Sequence, residues 1–362
     1  MRPEHNFCYV TGTNRNEDTA IIRGMVSRAR EAGVSEDIHV FAPLPVSDTI
    51  FHQFTGDWKK HMAKIDFMLE LANTEYDYFV WIDADTWFVR DPGNLLDLIR
   101  DEKCWVSMES DFHSQDAKFN EWYGLFVKDL PSPPHPSDKL TPNAFDVYKS
   151  FGAKHAFNTN GGMFIVRRSA VAEFHQKTWE VFNKLHEMGF HNVPDEPPLA
   201  IVGDVLASDP LQNTFEQHKH RWACDWHSTF AHRLPDGKPW AGKDWLTQTE
   251  IGPINPDIVH LMRGKHLLQQ YNAKAEPVGT KLHEILSECG VESAPGCSCK
   301  TFASQMDQWG VQGCQQHRKE ILTHLAEASD GQWLSMMKVA ACGFFSCGQL
   351  LDESIKRAQN NT

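Results

Sequence analysis

Tyr78-Phe79-Val80-Trp81-Ile82-Asp83-Ala84-Asp85-Thr86 decides how this chain is read. Its first five residues are apolar without interruption, which predicts a strand buried on both faces, as in a parallel sheet covered by helices. Two carboxylates follow, one residue apart, at the strand's C-terminal end. In open α/β sheets that end is where ligands bind. Aspartate is seldom buried unless it is paired or bound to a cation. Hard oxygen donors of this kind suit Mg2+ or Mn2+ shared with substrate phosphates. A bare Asp-x-Asp also occurs in surface turns, so the weight rests on the apolar run before it.

The flanking sequence repeats an α/β rhythm. Phe7-Cys8-Tyr9-Val10 predicts a buried strand ended by Thr11-Gly12-Thr13-Asn14. Residues 18–32 carry apolar side chains at helical spacing, and Gly33 is placed to stop that helix. Ile38-His39-Val40-Phe41 predicts the next strand, closed by Pro43 and Pro45. Residues 59–71 are helical in pattern, with Met62, Ile65, Met68 and Leu69 on one face. Strand, helix, strand, helix, strand with continuous apolar strands is the signature of a mostly parallel sheet flanked by helices. Downstream the pattern predicts a short helix at 93–100, a strand at 104–108, a strand at 163–166, a helix at 169–188, mixed short elements at 203–226 and a last strand at 258–262. The Pro-, His- and Asp-rich stretch 111–154 is too long for an ordinary connection and reads as a loop over a binding cleft. Beyond about residue 281 the composition changes: six of the nine cysteines lie there, and the rest reads as a small helical appendage.

Composition narrows the function. The 362 residues carry 35 Lys and Arg against 48 Asp and Glu, a net charge of −13. Such a chain is a poor binder of a phosphate backbone, so nucleic acid is not expected as a partner, although one local cationic pocket is allowed. No apolar run reaches the length of a spanning helix, and the N-terminus lacks the pattern of a signal peptide. Nine cysteines, an odd and sparse count, do not make a disulfide scaffold. The expectation is a reduced, cytoplasmic protein with no transmembrane segment.

With those residues in place, the segment Phe79 to Thr86 resembles the DxD segment of GT-A glycosyltransferases, which use nucleotide-sugar donors. It is most similar to the retaining, family 8-like type that includes glycogenin and bacterial galactosyltransferases, with a weaker echo of the blood-group transferases. The resemblance spans roughly residues 6–270. It implies a GT-A domain over 1–280, with a helical, cysteine-containing region of unknown role over 281–362. It implies metal-dependent transfer of a sugar, from a UDP-sugar in the first instance, to an unknown acceptor with retention.

The resemblance also distributes roles. Val10, Thr11 and Gly12 would meet the base and ribose, or would simply end a strand. Lys60 and Lys64 stand where the family places a basic residue near the donor; a solvated helix face is the plainer reading. Asn160, Gly161 and Gly162 resemble an Asn-Ala-Gly strand, where small residues let the sugar approach the backbone and the Asn offers donor and acceptor groups. Asp195 and Glu196 stand where retaining members place the residue facing the reactive carbon. Pro197 and Pro198 depart from the pattern there, either carboxylate also suits a helix cap, and which of them points inward stays open. Cys224-Asp225-Trp226-His227 takes the place of a Trp-Asn pair, with Trp226 also a core candidate. Val259-His260-Leu261-Met262-Arg263-Gly264-Lys265 resembles the closing motif, in which the His completes the metal sphere and the Lys meets the donor phosphates. Here Gly264 comes one residue late, Lys265 one early, and the final Pro-Trp is missing, so the phosphate contact is open between Arg263 and Lys265. The metal set implied is Asp83, Asp85 and His260, holding Mn2+ or Mg2+.

Two further clusters and two further functions compete with this reading. Cys297, Cys299, Cys314 and His317 have spacings that would allow a structural zinc site, although free thiols in a helical cap fit better. His218, His220 and His227 would allow another metal, or are ordinary loop histidines. A sugar-nucleotide nucleotidyltransferase would need a Gly-rich phosphate loop after the first strand, and residues 10–15 lack the run of glycines. A non-catalytic carbohydrate-binding or scaffold protein on a degenerate transferase fold would show no metal-dependent nucleotide binding.

Overall fold

The computed structural model describes residues 6–359 apart from 59–60, 94, 101, 109, 112–125, 128–143, 192, 208, 226–239, 244–249, 263, 276, 292–298, 330–338 and 341. The first third follows the expected rhythm: β1 (Phe7–Gly12), α1 (Asn16–Glu31), β2 (Ile38–Ala42), β3 (Ile50–Gln53), α2 (Ala63–Glu70) and β4 (Tyr78–Ile82). β5 (Thr86–Phe88), β6 (Cys104–Val106) and β7 (Met163–Arg167) follow. Six strands form the central sheet in the order β3-β2-β1-β4-β7-β6. β3, β2, β1 and β4 run parallel, and β7 is antiparallel to both β4 and β6. The fold is therefore α/β with a mostly parallel sheet, as the sequence implies.

The reason β4 is apolar at every position is visible in the two cores. Phe79 and Trp81 point to one face, where they join Phe41, Phe67 and Phe164 beneath α2, α3 (Val171–Glu187) and α4 (Glu196–Leu206). Tyr78, Val80 and Ile82 point to the other, with Tyr9, Ile22 and Val40 beneath α1 and α5 (His266–Ala275). Each such side chain removed from water stabilises by about 1.5–3 kcal/mol, so a polar residue has no place on either face. A second sheet sets β9 (Ile258–His260) between β8 (Trp222–Cys224), parallel, and β5, antiparallel. Its register places His260 opposite Thr86 and Cys224. Because β5 begins directly after the Asp-x-Asp, this pairing carries His260 to the end of β4.

Several boundaries differ from the sequence reading. The 59–71 helix is shorter, and the 93–100 helix is a single 3-10 turn over Leu95–Asp97. β3 and α4 were not expected. α4 accepts Pro197 and Pro198 because its first turn has amide groups without helical partners. Most of the proposed cleft loop, 111–154, lies outside the described residues; Phe126–Val127 within it pairs with Phe190–His191. At the C-terminus α6 (Val278–Glu288), α7 (Cys299–Gln316), α8 (Arg318–Ser329) and α9 (Cys347–Gln359) share their own core around Leu282, Ile285, Met306 and Leu351. α7 packs on α5, and Arg23 of α1 donates to Trp309 O of α7 and to Pro45 O at 3.1 Å.

Candidate active site

The end of β4 is organised by its own strand neighbours. The Asp83 N–H donates to Gly162 O at 2.8 Å, and the Leu261 N–H donates to Asp85 O at 2.7 Å. These bonds pin both aspartates between the 160–162 segment and the end of β9. The buried Trp81 needs an acceptor for its indole N–H and finds Asp83 Oδ1 at 2.7 Å. Asp85 Oδ1 lies 3.0 Å from His260 Nε2, and Asp83 Oδ2 lies 3.6 Å from the same nitrogen. One ligand atom from each of the three residues falls within 4.8 Å of the others. The imidazole is buried and the carboxylates are half-buried. Burial pushes the His260 imidazolium down, but the Asp85 and Asp83 carboxylates outweigh it and bring the group up to about 9. For Asp83, burial raises the carboxyl while Lys64 and His260 hold it below the usual range. Two carboxylates and one imidazole in this compass are a donor set suited to holding a metal ion.

A second group adjoins the first. Lys64, on α2, is buried with its ammonium 2.7 Å from Asp195 Oδ2, 3.3 Å from Asp83 Oδ1 and 3.0 Å from Gly161 O. It also lies over the Trp81 ring, 5.3 Å from the centroid. Burial opposes its charge, yet Asp195 and Asp83 outweigh that and raise its pKa above the ordinary lysine value. The Glu196 carboxyl is pushed up to about 8, by burial first and by the neighbouring Asp195 second, against Lys64 and a backbone hydrogen bond from Gly161.

The two glycines do separate work. A Cβ on Gly161 would lie 2.2 Å from Asp195 Oδ2, and one on Gly162 would lie 2.3 Å from His260 Nδ1. No side chain fits at either position. Asn160, expected at the sugar, directs its amide inside the protein: Oδ1 accepts the Gly162 N–H at 2.8 Å and meets His260 Nδ1 at 3.0 Å, while Nδ2 donates to Cys224 Sγ at 2.9 Å.

Other expected residues stand apart. Val10 is buried in the core, and Gly12 packs against Phe41 O and the Phe67 ring, each 2.8 Å from a would-be Cβ. Thr11 is buried as well. The Gly264 N–H donates to Asp225 Oδ2 at 2.9 Å, which anchors the turn that leads into α5, and Lys265 is exposed on that turn. Lys60, Arg263, Trp226 and His227 lie outside the described residues. His218 is buried against Trp105 and Trp222, with Nδ1 3.2 Å from Trp222 O. Of the zinc candidates, the Cys314 thiol donates to Met306 O, and His317 pairs with Glu320 at 2.9 Å and stacks on Trp309. Cys297 and the Cys299 side chain lie outside the described residues. Among the described residues the Asp83, Asp85 and His260 set is the one cluster close enough to hold a metal. The sequence reading missed the bridging position of Lys64 and the link from Asp225 to Gly264; an acid directly after an apolar strand was the available signal for the latter.

No protein-family profile and no curated protein matches the chain. Among solved structures it is similar to the apo structure of the bifunctional glycosyltransferase WbbM, at 14% identity and a TM-score of 0.42. The similarity covers 72% of this chain and 46% of that one, so the chain spans less than half of that protein's length.

Proposed function

We propose that the protein is a GT-A-type glycosyltransferase that moves a sugar from a nucleoside-diphosphate sugar, a UDP-sugar in the first instance, to an acceptor with retention. The observation that carries this reading is the Asp83, Asp85 and His260 set, built at the C-terminal end of the central strand. Two aspartates and an imidazole there are suited to a cation shared with pyrophosphate oxygens. Mn2+ or Mg2+ held by these residues would supply Lewis-acid stabilisation to the departing nucleoside diphosphate.

The remaining roles follow from charge. Lys265, or Arg263 beside it, is the cation for the donor phosphates. Lys64 does not serve that purpose, because its ammonium is engaged by Asp83, Asp195 and Gly161. It spaces the metal-binding aspartate from the second acidic pair. Between those two acids, Asp195 is the ion-paired carboxylate for the positive charge that develops on the sugar as the bond to phosphate breaks. Glu196 is the neighbouring carboxyl, whose ionisation is disfavoured by burial first and by Asp195 second. Gly161 leaves room for the Asp195 carboxylate to reach Lys64 against the backbone. We assign the catalytic domain to 1–280 and a packed helical layer to 281–362, in a cytoplasmic protein. Among the described residues no helix is long and apolar enough to cross a membrane.

The test is a thermal-shift screen of UDP- and GDP-sugars with and without Mn2+, followed by donor hydrolysis. A ligand that binds only the folded chain raises its apparent stability, by about 2.7 kcal/mol at a hundredfold excess over Kd. Metal-dependent stabilisation by one nucleotide family is the expected result. A chain whose melting is unmoved by every donor with Mn2+ is not this enzyme.

A further inference from the structure

Which nitrogen of His260 faces the cluster is decided by a hydrogen-bond chain that begins in the backbone. The Gly162 N–H can only donate, so the Asn160 side-chain atom it meets at 2.8 Å is the amide oxygen. That choice turns the amide nitrogen toward two sulfur acceptors, Cys224 Sγ at 2.9 Å and Met262 Sδ at 3.5 Å. The same oxygen lies 3.0 Å from His260 Nδ1. An oxygen already accepting from Gly162 offers Nδ1 a second acceptor site and no proton. Of the two contacts of Nδ1, this oxygen at 3.0 Å is much the nearer, with Cys224 Sγ at 3.8 Å, so Nδ1 keeps the hydrogen, and Nε2, facing the Asp85 carboxylate, is the nitrogen whose proton a cation would displace. Nε2 is the nitrogen 3.0 Å from Asp85 and 3.6 Å from Asp83.

We propose that Asn160 is a positioning residue, whose amide oxygen holds the Nδ1–H of His260 so that Nε2 is presented to a divalent cation between Asp83 and Asp85. This rests on the metal reading above, and it moves Asn160 from sugar contact to the support of a ligand. Four neighbours fix its amide: the Gly162 N–H, Cys224, Met262 and His260. Asn160 is itself 1% exposed, so no polar edge is left for a substrate hydroxyl. Gly162 completes the device, since any Cβ there would fall 2.7 Å from the Asn160 oxygen as well as on the imidazole. Partners of this kind, one shell out from the metal, typically change affinity by about 10–100-fold when removed.

Two measurements test the assignment. The first uses the wild-type protein labelled with 15N-histidine, saturated with Mg2+ and UDP, with His260→Gln to assign the ring. Long-range 1H–15N spectra are expected to show His260 protonated on Nδ1. The second is Mn2+ affinity in the presence of UDP, read by electron paramagnetic resonance of the free ion. Asn160→Ala is expected to bind about 10–100-fold more weakly. Asn160→Asp, which keeps an oxygen toward Nδ1, is expected to stay close to wild type. A wild-type ring protonated on Nε2, or an Asn160→Ala variant with wild-type affinity, overturns the positioning role and leaves the metal reading standing. If Asn160→Ala does not fold, the wild-type spectrum and Asn160→Asp decide: weak binding by a folded Asn160→Asp overturns the role. A wild-type chain that takes up neither ion brings down the metal reading, and this proposal with it.

Discussion

Adding one methyl group at Gly162 is the sharpest perturbation of this site. The new Cβ would lie 2.3 Å from His260 Nδ1, 2.6 Å from its Cε1 and 2.7 Å from Asn160 Oδ1, where ordinary contacts begin at 3.4 Å. The imidazole must retreat by roughly 1 Å, and it has nowhere to go without loss, since Asn160, Asp85 and the Trp222 ring bound it. Overpacking of this kind costs about 1–3 kcal/mol. At about 2.1 cal/mol/K per residue, a 362-residue chain loses only about 1.3 °C per kcal/mol, so Tm of the metal-free Gly162→Ala variant should fall by about 1–4 °C. The effect on the cation is larger in proportion, because ligand distances tolerate only about 0.2 Å. A ring displaced by five times that amount ceases to be a ligand, and Mn2+ affinity should fall at least about tenfold, or 1.4 kcal/mol. Differential scanning fluorimetry with and without Mn2+ and UDP reads both effects in one experiment. The variant is expected to melt early and to lose the metal-dependent rise. A Gly162→Ala protein with wild-type Tm and wild-type Mn2+ affinity would refute the packing of His260 on this backbone.

Three other perturbations separate the parts of the site and of the fold. Lys64→Met removes the cation between Asp83 and Asp195; breaking one side of a buried ion pair costs about 3–5 kcal/mol, so a marked drop in the denaturant midpoint is expected, and an unchanged midpoint would show that the bridge is not formed. Asp85→Asn keeps a polar partner for His260 but removes a charged ligand, so circular dichroism should show an intact fold while donor hydrolysis disappears; wild-type turnover would dismiss Asp85 as a ligand. At the opposite edge of the sheet, burial and the adjacent His52 push the His39 imidazole down to about 4. Its folded pKa lies below the ordinary 6.5, so its contribution is present above pH 6.5 and lost as pH falls through about 4, by at most about 3 kcal/mol. His39→Gln should therefore flatten the fall in Tm between those pH values, and a parallel fall in variant and wild type would exclude the pair as its cause.

The sequence made some of this legible and hid the rest for physical reasons. β4 could be read because burial on both faces leaves five apolar residues in a row, and the two aspartates after it have no apolar role. β3 could not, because Ile50-Phe51-His52-Gln53 is a half-exposed edge with no regular alternation. Lys64 reads as a surface lysine in any local window, since only the distant Asp195 and Asp83 stabilise its charge in the interior. The choice between Asp195 and Glu196 was open for the same reason: it depends on which of two adjacent side chains at the start of α4 meets that ammonium. Asn160 stood at the right place in its motif, but its partner is a hundred residues away, and sequence spacing carries no sign of where an amide will point.

These long-range contacts make one unit of what looks like two sites. Asp83 belongs to the metal set through Oδ2 and to the acid set through Oδ1, which takes both Trp81 and Lys64. Lys64 then passes to Asp195, whose oxygen fits only because residue 161 is glycine. On the other side, Gly162 O holds the Asp83 amide, while Gly162 N orients the Asn160 oxygen that meets His260. The charges alternate along this path: Asp195, Lys64, Asp83, His260 and Asp85 each neighbour the opposite sign. A cation placed beside Asp83 weakens the hold of Asp83 on Lys64 and so strengthens the share of Lys64 available to Asp195, because all three interact through one buried ammonium. Loss of any member shifts the charge balance of all the others. The acidic pair and the metal set should therefore behave as coupled residues, whose effects on stability and binding do not add.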